Sequence, residues 1–314
     1  MADIKVSALA AGTGITDADL FYYVDGATSK KVTGLILQDY VLEGVDLIAS
    51  NYNLLFYSEN TALTTGQENT FYGYQAGKSN TSAWVNVFIG YKSGYTNTTK
   101  QRNTYIGYKA GYANNEDDNV IIGDSTGICL TSGTDNVIIG SQAVSDAASL
   151  TVSGCVIIGK EAGQVCTAND NVFIGHQCGE DNTSGTDNTY IGYRAGANSV
   201  IASRCVCIGH YAGENNNTND LLFIGNSNTA TPLIWGNFAN NILTVHGQLG
   251  INIKTPATSA AVDITSTTGA LLVPRMNSTE MVALTEVNGM IVYNTSLNAF
   301  CFYENGAWQM KVNI

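Results

Sequence analysis

A block of about seventeen residues recurs ten times along the chain, and this repeat constrains the fold more than any other feature. Aligned on one glycine, here called the reference glycine, successive blocks are 16 to 19 residues apart. The reference glycines are Gly73, Gly90, Gly107, Gly123, Gly140, Gly159, Gly175, Gly192, Gly209 and Gly225. A fixed short period is typical of architectures in which each unit buries its apolar face only against its neighbours. The repeat therefore predicts a stack of similar units.

The blocks share a core of nine residues, as in residues 103–111. It begins with Asn, the next residue is Thr or Val, the third is aromatic or Ile, and the rest reads Ile-Gly-x-x-Ala/Ser-Gly. Short runs of β-branched and aromatic residues between glycine and asparagine are typical of strands bounded by turns. Seventeen residues are too few for two helices, so we predict two short strands and two turns per unit. Stacking these units gives an all-β fold whose central part is a ten-coil β-solenoid.

Two recurrent residue types in the block have structural interpretations. The reference glycine is expected at a corner that needs positive φ or close backbone approach. The asparagine four residues before it occurs in seven of ten blocks. Stacked asparagine side chains can hydrogen-bond along the stack as a ladder. Both features are predicted to stabilise the solenoid.

The strand residues are apolar on both faces. Alternation places Val120 and Ile122 on one face and Ile121 on the other, where Phe88 and Tyr105 also fall. A solitary solenoid would keep its outer face polar, so a second apolar stripe predicts a covering surface. Three identical chains around an axis would provide it, and we expect a homotrimer. The sequence leaves open whether each chain coils on itself or three chains interleave, and we favour self-coiled chains.

Composition excludes several classes of protein. The chain has 314 residues with 33 glycines and 3 prolines, and 13% of its residues are charged, against about 25% in an average protein. Coiled coils and helical bundles are therefore excluded. A net charge of −12 opposes binding to nucleic acid, which needs clustered cations. No run approaches the roughly 18 apolar residues of a membrane span, and residues 1–5 lack the apolar core of a secretory signal. We therefore expect folding in a cytosol without membrane insertion.

Cysteine and histidine usage argues against a cofactor or metal. The seven cysteines form no C-x-x-C pair, and an odd number argues against a disulfide framework. They are Cys129, Cys155, Cys166, Cys178, Cys205, Cys207 and Cys301. We expect small buried apolar side chains. His176 and His210 both follow a reference glycine, and on a threefold axis each could form a ring that binds a metal or anion. Packed or exposed histidines are the favoured interpretation, so no metal and no cofactor is predicted.

Both ends of the chain resemble bacteriophage fibre proteins. Residues 16–21 read Thr-Asp-Ala-Asp-Leu-Phe and residues 30–33 read Lys-Lys-Val-Thr, which resembles the N-terminal attachment segment of such fibres. Residues 269–276, 288–294 and 303–308 contain Leu-Leu-Val-Pro-Arg-Met, Asn-Gly-Met-Ile-Val-Tyr-Asn and Tyr-Glu-Asn-Gly-Ala-Trp. These three motifs are similar to the C-terminal region of tail-fibre and head-fibre proteins.

The resemblance implies a trimeric fibre in the virion, assembled in the host cytoplasm. It implies virion attachment through Asp19, Leu20 and Phe21, to either a capsid or a tail protein. The predicted parts are an attachment segment (1–45), a transition strand (46–65), the solenoid (66–230), a β-rich neck (231–257) and a trimerisation or tip domain (258–314).

The predicted tip contains candidate contact residues. Asn305-Gly306 is a strong hairpin turn signal, and Tyr303 and Trp308 flank it. Aromatic side chains beside a turn can stack on sugar rings, although a role in the core or in a chain interface is favoured. Arg275 could bind a carboxylate of a neighbouring chain. Tyr303, Asn305 and Trp308 are therefore candidate contacts with a host glycan or protein.

These features are compatible with three functions. The first is a non-enzymatic fibre that attaches to the host surface by many weak contacts at once. The second is a tailspike-like polysaccharide depolymerase, which needs two suitably spaced carboxylates, and the sequence shows no aligned pair. The third is the head of a bacterial trimeric adhesin, which needs a signal peptide and a membrane anchor. The fibre is the predicted function, and no catalytic residue is assigned.

Overall fold

The computed structural model of the protein describes residues 54–56, 65–146 and 150–310. Among these residues almost all regular structure is β-strand, with one short helix, as predicted for an all-β fold. The chain divides into two compact units, of which the first ends at His246 and the second begins at Gly247. The attachment segment predicted at residues 1–45, including Asp19, Leu20 and Phe21, lies outside the described residues.

The first unit is dominated by a single sheet of thirteen strands. The strands described in this unit are β1 Leu54–Phe56, β2 Thr70–Tyr72, β3 Val87–Ile89, β4 Thr104–Ile106, β5 Val120–Ile122, β6 Leu130–Ser132, β7 Val137–Ile139, β8 Leu150–Thr151, β9 Val156–Ile158, β10 Val172–Ile174, β11 Thr189–Ile191, β12 Val206–Ile208, β13 Leu221–Ile224, β14 Ile234–Asn237 and β15 Ile242–Val245. The sheet runs in sequence order without β6 and β8, which pair with each other.

The sheet confirms a self-coiled β-solenoid. From β1 to β13 each strand pairs in parallel with the matching strand of the next repeat, so that Phe88 lies opposite Tyr105 and Tyr105 opposite Ile121. All ten predicted coils contribute a strand, and β1 adds an eleventh. The two last strands, β14 and β15, then continue the sheet in antiparallel fashion.

The prediction of two strands per unit is wrong. Each described coil contributes one strand of the long sheet, and only β6 and β8 pair as a second, short sheet. The opposite side of the coil is a chain of turns, because residues there adopt left-handed backbone angles that end an extended strand. In the second block Lys92 has φ of 54° and Gly94 has φ of 58°. Left-handed conformation is costly for residues with a side chain, and the regular hydrogen bonds between turns of adjacent coils compensate.

The core of the solenoid is a column formed by the middle residue of each strand. The rings of Phe71, Phe88 and Tyr105 are fully buried and stack with centroids 4.9 Å apart and planes within 9° of parallel. Isoleucines continue the column, and Phe173 and Tyr190 stack again at 5.1 Å. A continuous apolar column of this kind gives each coil its main hydrophobic stabilisation, through contact with the coils on both sides.

The structure confirms why glycine recurs at two positions of the coil. Gly107 has φ of +138°, and a Cβ there would collide with the carbonyl oxygen of Gly123 in the next coil. Gly94 has φ of +58°, and its Cβ would lie 2.7 Å from the Phe88 ring. The first glycine lets two backbones approach, and the second leaves room for the core ring.

The predicted asparagine ladder is also present. The backbone N–H of Asn103 donates to Oδ1 of Asn86 at 3.0 Å, and that of Asn119 donates to Oδ1 of Asn103 at 2.9 Å. Cys155 replaces asparagine in one coil, and its thiol accepts a longer hydrogen bond of 3.5 Å from the backbone N–H of Asn171. Because these groups are buried, each ladder contact satisfies a donor whose burial would otherwise be costly.

The second unit contains small sheets and one helix. Its strands are β16 Leu249–Ile251, β17 Val262–Ile264, β18 Arg275–Met276, β19 Ile291–Asn294, β20 Ala299–Glu304 and β21 Ala307–Met310, and the helix is α1 Ser278–Val282. Strands β16 and β17 pair with each other, and β18 to β21 form a second sheet. A capping box between Asn277 and Glu280 begins α1.

The second unit buries few apolar side chains of its own. Its core consists of Met281, Val292 and Cys301, against which Met276 and Trp308 pack. Large apolar side chains elsewhere in this unit are exposed, and Leu271 and Leu272 reach 71% and 70%. A unit of this size with so small a core usually needs further support, such as oligomerisation.

Candidate interaction surfaces

The outer face of the long sheet is apolar and uncharged. From β2 to β13 the outward positions are Thr70, Tyr72, Val87, Ile89, Thr104, Ile106, Val120, Ile122, Val137, Ile139, Val156, Ile158, Val172, Ile174, Thr189, Ile191, Val206, Ile208, Leu222 and Ile224. All of them retain solvent exposure in the single chain. The predicted second apolar stripe is therefore present, and its burial between identical chains stays a prediction.

The turn side of the first coils carries two columns of tyrosine. Tyr74, Tyr91 and Tyr108 each follow a reference glycine, and their rings stack with centroids 5.6 and 5.2 Å apart. Tyr95 and Tyr112 form a parallel column at 4.9 Å. The first column is exposed, with 39% to 47% of each residue accessible. The stacked ring faces are occupied by neighbouring rings, so solvent meets mainly ring edges and hydroxyls.

Two lysines lie between these tyrosine columns. The Lys92 Nζ atom is 5.3 Å from the Tyr91 ring centre and 5.4 Å from that of Tyr95. In the next coil the Lys109 Nζ atom is 5.3 Å from the Tyr108 ring centre and 6.0 Å from the ring centre in the second column. At these separations each ammonium lies beside a ring of both columns. We call the five tyrosines and two lysines the Tyr–Lys surface.

Further along the solenoid the turn side carries a cluster of carboxylates that sequence reasoning missed. Gln177 Nε2 donates to Glu161 at 3.0 Å and to Glu180 at 3.2 Å. The Arg194 guanidinium lies 2.8 Å from Glu214 and 3.5 Å from Glu180. Stacking of the coils brings Arg194 to Glu180, 14 residues before it, and to Glu214, 20 residues after it. A sequence signal was available, since Glu161, Gln177 and Arg194 all stand two residues after a reference glycine.

The carboxylates of this cluster differ in their affinity for protons. Burial raises the pKa of Glu180 above its ordinary value, although nearby Arg194 works in the opposite direction. A hydrogen bond from Lys160 lowers the pKa of Glu161. Each carboxylate is engaged by an amide or a cation, and the arrangement joins adjacent coils.

Other exposed ion pairs also join neighbouring coils. Arg102 makes two hydrogen bonds to Asp118, of 2.5 and 2.7 Å, and Arg204 makes two to Asp220, of 2.7 and 2.9 Å. Each arginine lowers the pKa of its aspartate through these bonds. Because the pairs are exposed, each one contributes little to stability. Arg102 and Arg204 are thus committed to carboxylates of the same chain.

Two of the three histidines, His176 and His210, flank a tyrosine. The His176 ring lies 5.4 Å from Tyr193 and the His210 ring lies 5.2 Å from it on the coil beyond. His176 Nε2 is 3.4 Å from a Glu161 carboxylate oxygen. Within the described ranges no group of three or more His, Cys, Asp or Glu side chains could hold a metal ion. In a single chain the histidines are therefore part of an aromatic column.

The candidate tip residues lie on one hairpin of the second unit. Tyr303 on β20 lies opposite Trp308 on β21, and their rings meet edge to face at 5.3 Å. Trp308 Nε1 donates to Glu286 at 2.8 Å. Asn305, at the turn, is exposed and has φ of 51°. The structure brings the three residues together, but half-buried Trp308 packs on the small core, and ligand contact by these residues stays a prediction.

Arg275 lies on β18, at the edge of the four-stranded sheet, and is exposed. In the part of the chain that the structure describes, its guanidinium forms no ion pair with a carboxylate. The predicted contact with a carboxylate of a neighbouring chain stays untested. The described residues also contain no helix with the length and apolar character needed to cross a bilayer.

Six of the seven cysteines are buried thiols outside any disulfide, as predicted. Burial raises the pKa of Cys155 to about 11 and the pKa values of Cys166 and Cys178 to about 12. These thiols therefore stay protonated at neutral pH and are poor nucleophiles, since the thiolate is the reactive form. Their role is to fill the core.

Alkaline pH should destabilise the solenoid through these thiols. An unfolded cysteine ionises with a pKa of about 8.5, whereas folded Cys178 ionises at about 12. Between these values the unfolded state holds fewer protons, so its free energy falls and stability decreases by up to about 1.4 kcal/mol per pH unit for each such thiol. We expect urea unfolding between pH 8 and 10 to show this loss.

A matched variant isolates the contribution of one thiol. Alanine occupies the position of Cys178 in most other coils, for example Ala110, Ala162 and Ala195. Cys178→Ala should therefore fold and should show a shallower fall in unfolding free energy above pH 8.5. If the unfolding free energy of the variant fell with pH as steeply as that of the original chain, Cys178 would not be a source of the alkaline loss of stability.

Comparison with known proteins identifies the C-terminal part of the chain. Residues 250–313 match a family model described as a phage tail like trimerisation region. No curated protein and no solved structure matches the chain. The match lies on the unit whose own core is small and whose leucines are exposed. A phage-tail-type trimerisation region and an all-β solenoid together fit a structural fibre protein of a bacteriophage.

Proposed function

We propose that the chain is the subunit of a homotrimeric phage fibre that links the virion to the host surface. The trimerisation match over residues 250–313 carries this proposal. It is supported by the small core of the second unit, which leaves Leu271 and Leu272 exposed unless other copies cover them. The uncharged outer face of the long sheet offers a second surface on which identical chains can meet.

The proposed fibre divides its tasks along the chain. Residues 1–45 attach to a capsid or tail protein, residues 46–65 lead into the solenoid at 66–230, and residues 231–257 and 258–314 form the neck and the trimerisation domain. Three copies per fibre and several fibres per virion convert weak contacts into firm attachment by avidity. The fibre acts by binding, and its localisation is the virion.

Two measurements test this proposal. Light scattering of the purified full chain should give three times the chain mass of 33.3 kDa, and a single-chain mass would contradict it. Labelled fibre should bind bacterial cells of the phage's host and should compete with phage adsorption. A fibre that forms trimers but leaves adsorption unchanged would argue against host attachment.

Polysaccharide hydrolysis is the second candidate because Gln177 holds the carboxylates of Glu161 and Glu180 near each other, with pKa values displaced in opposite directions. Such a pair is the chemical requirement for a glycosidase. Both carboxylates are engaged by cations of the same chain, which favours a structural role. Release of reducing ends from host polysaccharide, lost in Glu180→Gln, would reverse this ranking.

A further inference from the structure

The Tyr–Lys surface differs from the other charged parts of the solenoid in having cations without carboxylate partners. Among the described residues Lys92 and Lys109 form no ion pair, whereas Lys100, Arg102 and Arg204 pair with carboxylates of the next coil. In the first three coils, the positions one, two and five residues after the reference glycine hold tyrosine, lysine and one glutamine only. The surface is therefore locally cationic in a chain with a net charge of −12.

The coil backbone fixes the positions from which the side chains of this surface project. Lys92 and Lys109 have φ of 54° and 51°, and their backbone N–H groups donate to Tyr74 and Tyr91 of the preceding coil at 2.9 and 2.8 Å. The Tyr91 hydroxyl beside Lys92 raises the pKa of its ammonium. Each ammonium lies between two tyrosine columns before any ligand arrives, which lowers the ordering cost of binding.

The same charged group recurs at the spacing of adjacent coils, which for hydrogen-bonded strands is about 4.8 Å. Two ammonium groups on adjacent coils, flanked by tyrosines, suit a polymer that repeats an anionic group and carries many hydroxyls. The aromatic edges give it amphipathic contact area.

We propose that the Tyr–Lys surface binds an acidic polysaccharide on the side of the solenoid. Lys92 and Lys109 pair with successive carboxylate or phosphate groups, and the tyrosine hydroxyls hydrogen-bond to the sugar. This inference rests on the proposed function and deepens it, because it names the class of host molecule and places a contact away from the predicted tip. The mechanism is charge pairing, so binding weakens as salt screens the ammonium groups.

The solenoid itself supplies a fold-compatible variant. Gln75, Gln142 and Gln177 occupy the position of Lys92 and Lys109 in other coils, with φ between 54° and 58°. The double variant Lys92→Gln/Lys109→Gln therefore keeps the local backbone while removing both charges. Lys160→Gln removes one charge from the same side of the solenoid, outside the Tyr–Lys surface, and is the matched control.

Binding is measured by interferometry with the full chain on polygalacturonate, a carboxylated polymer, on teichoic acid, a phosphate polymer, and on neutral dextran. We expect one or both acidic polymers to bind, dextran to bind weakly, and the double variant to lose roughly tenfold in affinity. Lys160→Gln should bind as the original chain does. The relative affinities for the two acidic polymers identify the preferred anionic group.

Several results would overturn the inference. They are equal binding by the double variant, equal binding of dextran, or binding of poly-glutamate as tight as that of the acidic polysaccharides. A changed oligomeric state in the double variant would assign this surface to an interface between copies instead. If host cells bind the original chain and the double variant equally, the proposed polysaccharide site is wrong while the attachment function stands. If neither protein binds cells, the attachment function fails as well.

Discussion

Replacing Gly107 with alanine should prevent stable folding of the solenoid or lower its free energy of unfolding by about 4 kcal/mol or more. Two costs add at this position. The φ of +138° is one that residues with a Cβ rarely adopt, and the new Cβ would collide with the Gly123 carbonyl of the adjacent coil. Because that carbonyl belongs to rigid, hydrogen-bonded backbone, the collision can be relieved only by separating the two coils.

The chain offers a control that separates these two costs. Gly247 has the same φ of +138°, but a Cβ there meets no atom within 4 Å. Gly247→Ala should therefore show only the backbone strain, about 1 to 3 kcal/mol. Urea unfolding and the yield of soluble protein measure both variants. Equal losses in the two would mean that close approach of the coils is not what selects glycine at the reference position.

Placing two charges on Leu271 and Leu272 should convert the trimer into single chains. These leucines are 71% and 70% exposed in one chain, within the residues that match the trimerisation region. If copies of the chain cover them, the double variant Leu271→Asp/Leu272→Asp buries unpaired carboxylates, which costs several kcal/mol per chain. Light scattering should then report the mass of one chain.

Thr267→Asp is the matched control for that variant. Thr267 is exposed and polar and lies in the same segment, so its replacement adds a carboxylate without removing apolar surface. It should leave the trimer intact. A double leucine variant that remains trimeric would show that residues other than these leucines hold the copies together. Retained solenoid circular dichroism in the dissociated protein would show that the first unit folds without association.

Much of the solenoid could be predicted from the sequence because its determinants recur within each block. The strand positions, the two glycines and the asparagine ladder all follow from residue types repeated at a fixed spacing. The count of strands per coil could not be predicted in this way. Lysine, glutamine, glutamate and arginine at the second residue after the reference glycine give no strong turn signal, yet all adopt positive φ there. Hydrogen bonding between coils overrides their local preference.

The candidate surfaces were harder to predict, since they depend on which side chains meet across coils. The hairpin of Tyr303, Asn305 and Trp308 was recognisable from its turn dipeptide. The cluster of Glu161, Gln177 and Glu180 and the arrangement of Lys92 between two tyrosine columns were not. Glu161 and Gln177 belong to successive blocks and meet only when the coils stack, and the two tyrosine columns likewise form only by stacking.

The sequence alone determined that this protein is a β-solenoid of ten coils, because period, strand chemistry and glycine positions are local and repeat ten times. That the chain coils on itself was decided by the structure, through the parallel pairing of its own successive strands. Only the tertiary structure decided that each coil has one strand of the long sheet and that unpaired lysines and mutually paired carboxylates occupy different parts of the turn side. The physical reason is register. Parallel pairing places residues 16 to 19 positions apart side by side, and that alignment sets which charges are neutralised within the chain and which remain available to a ligand.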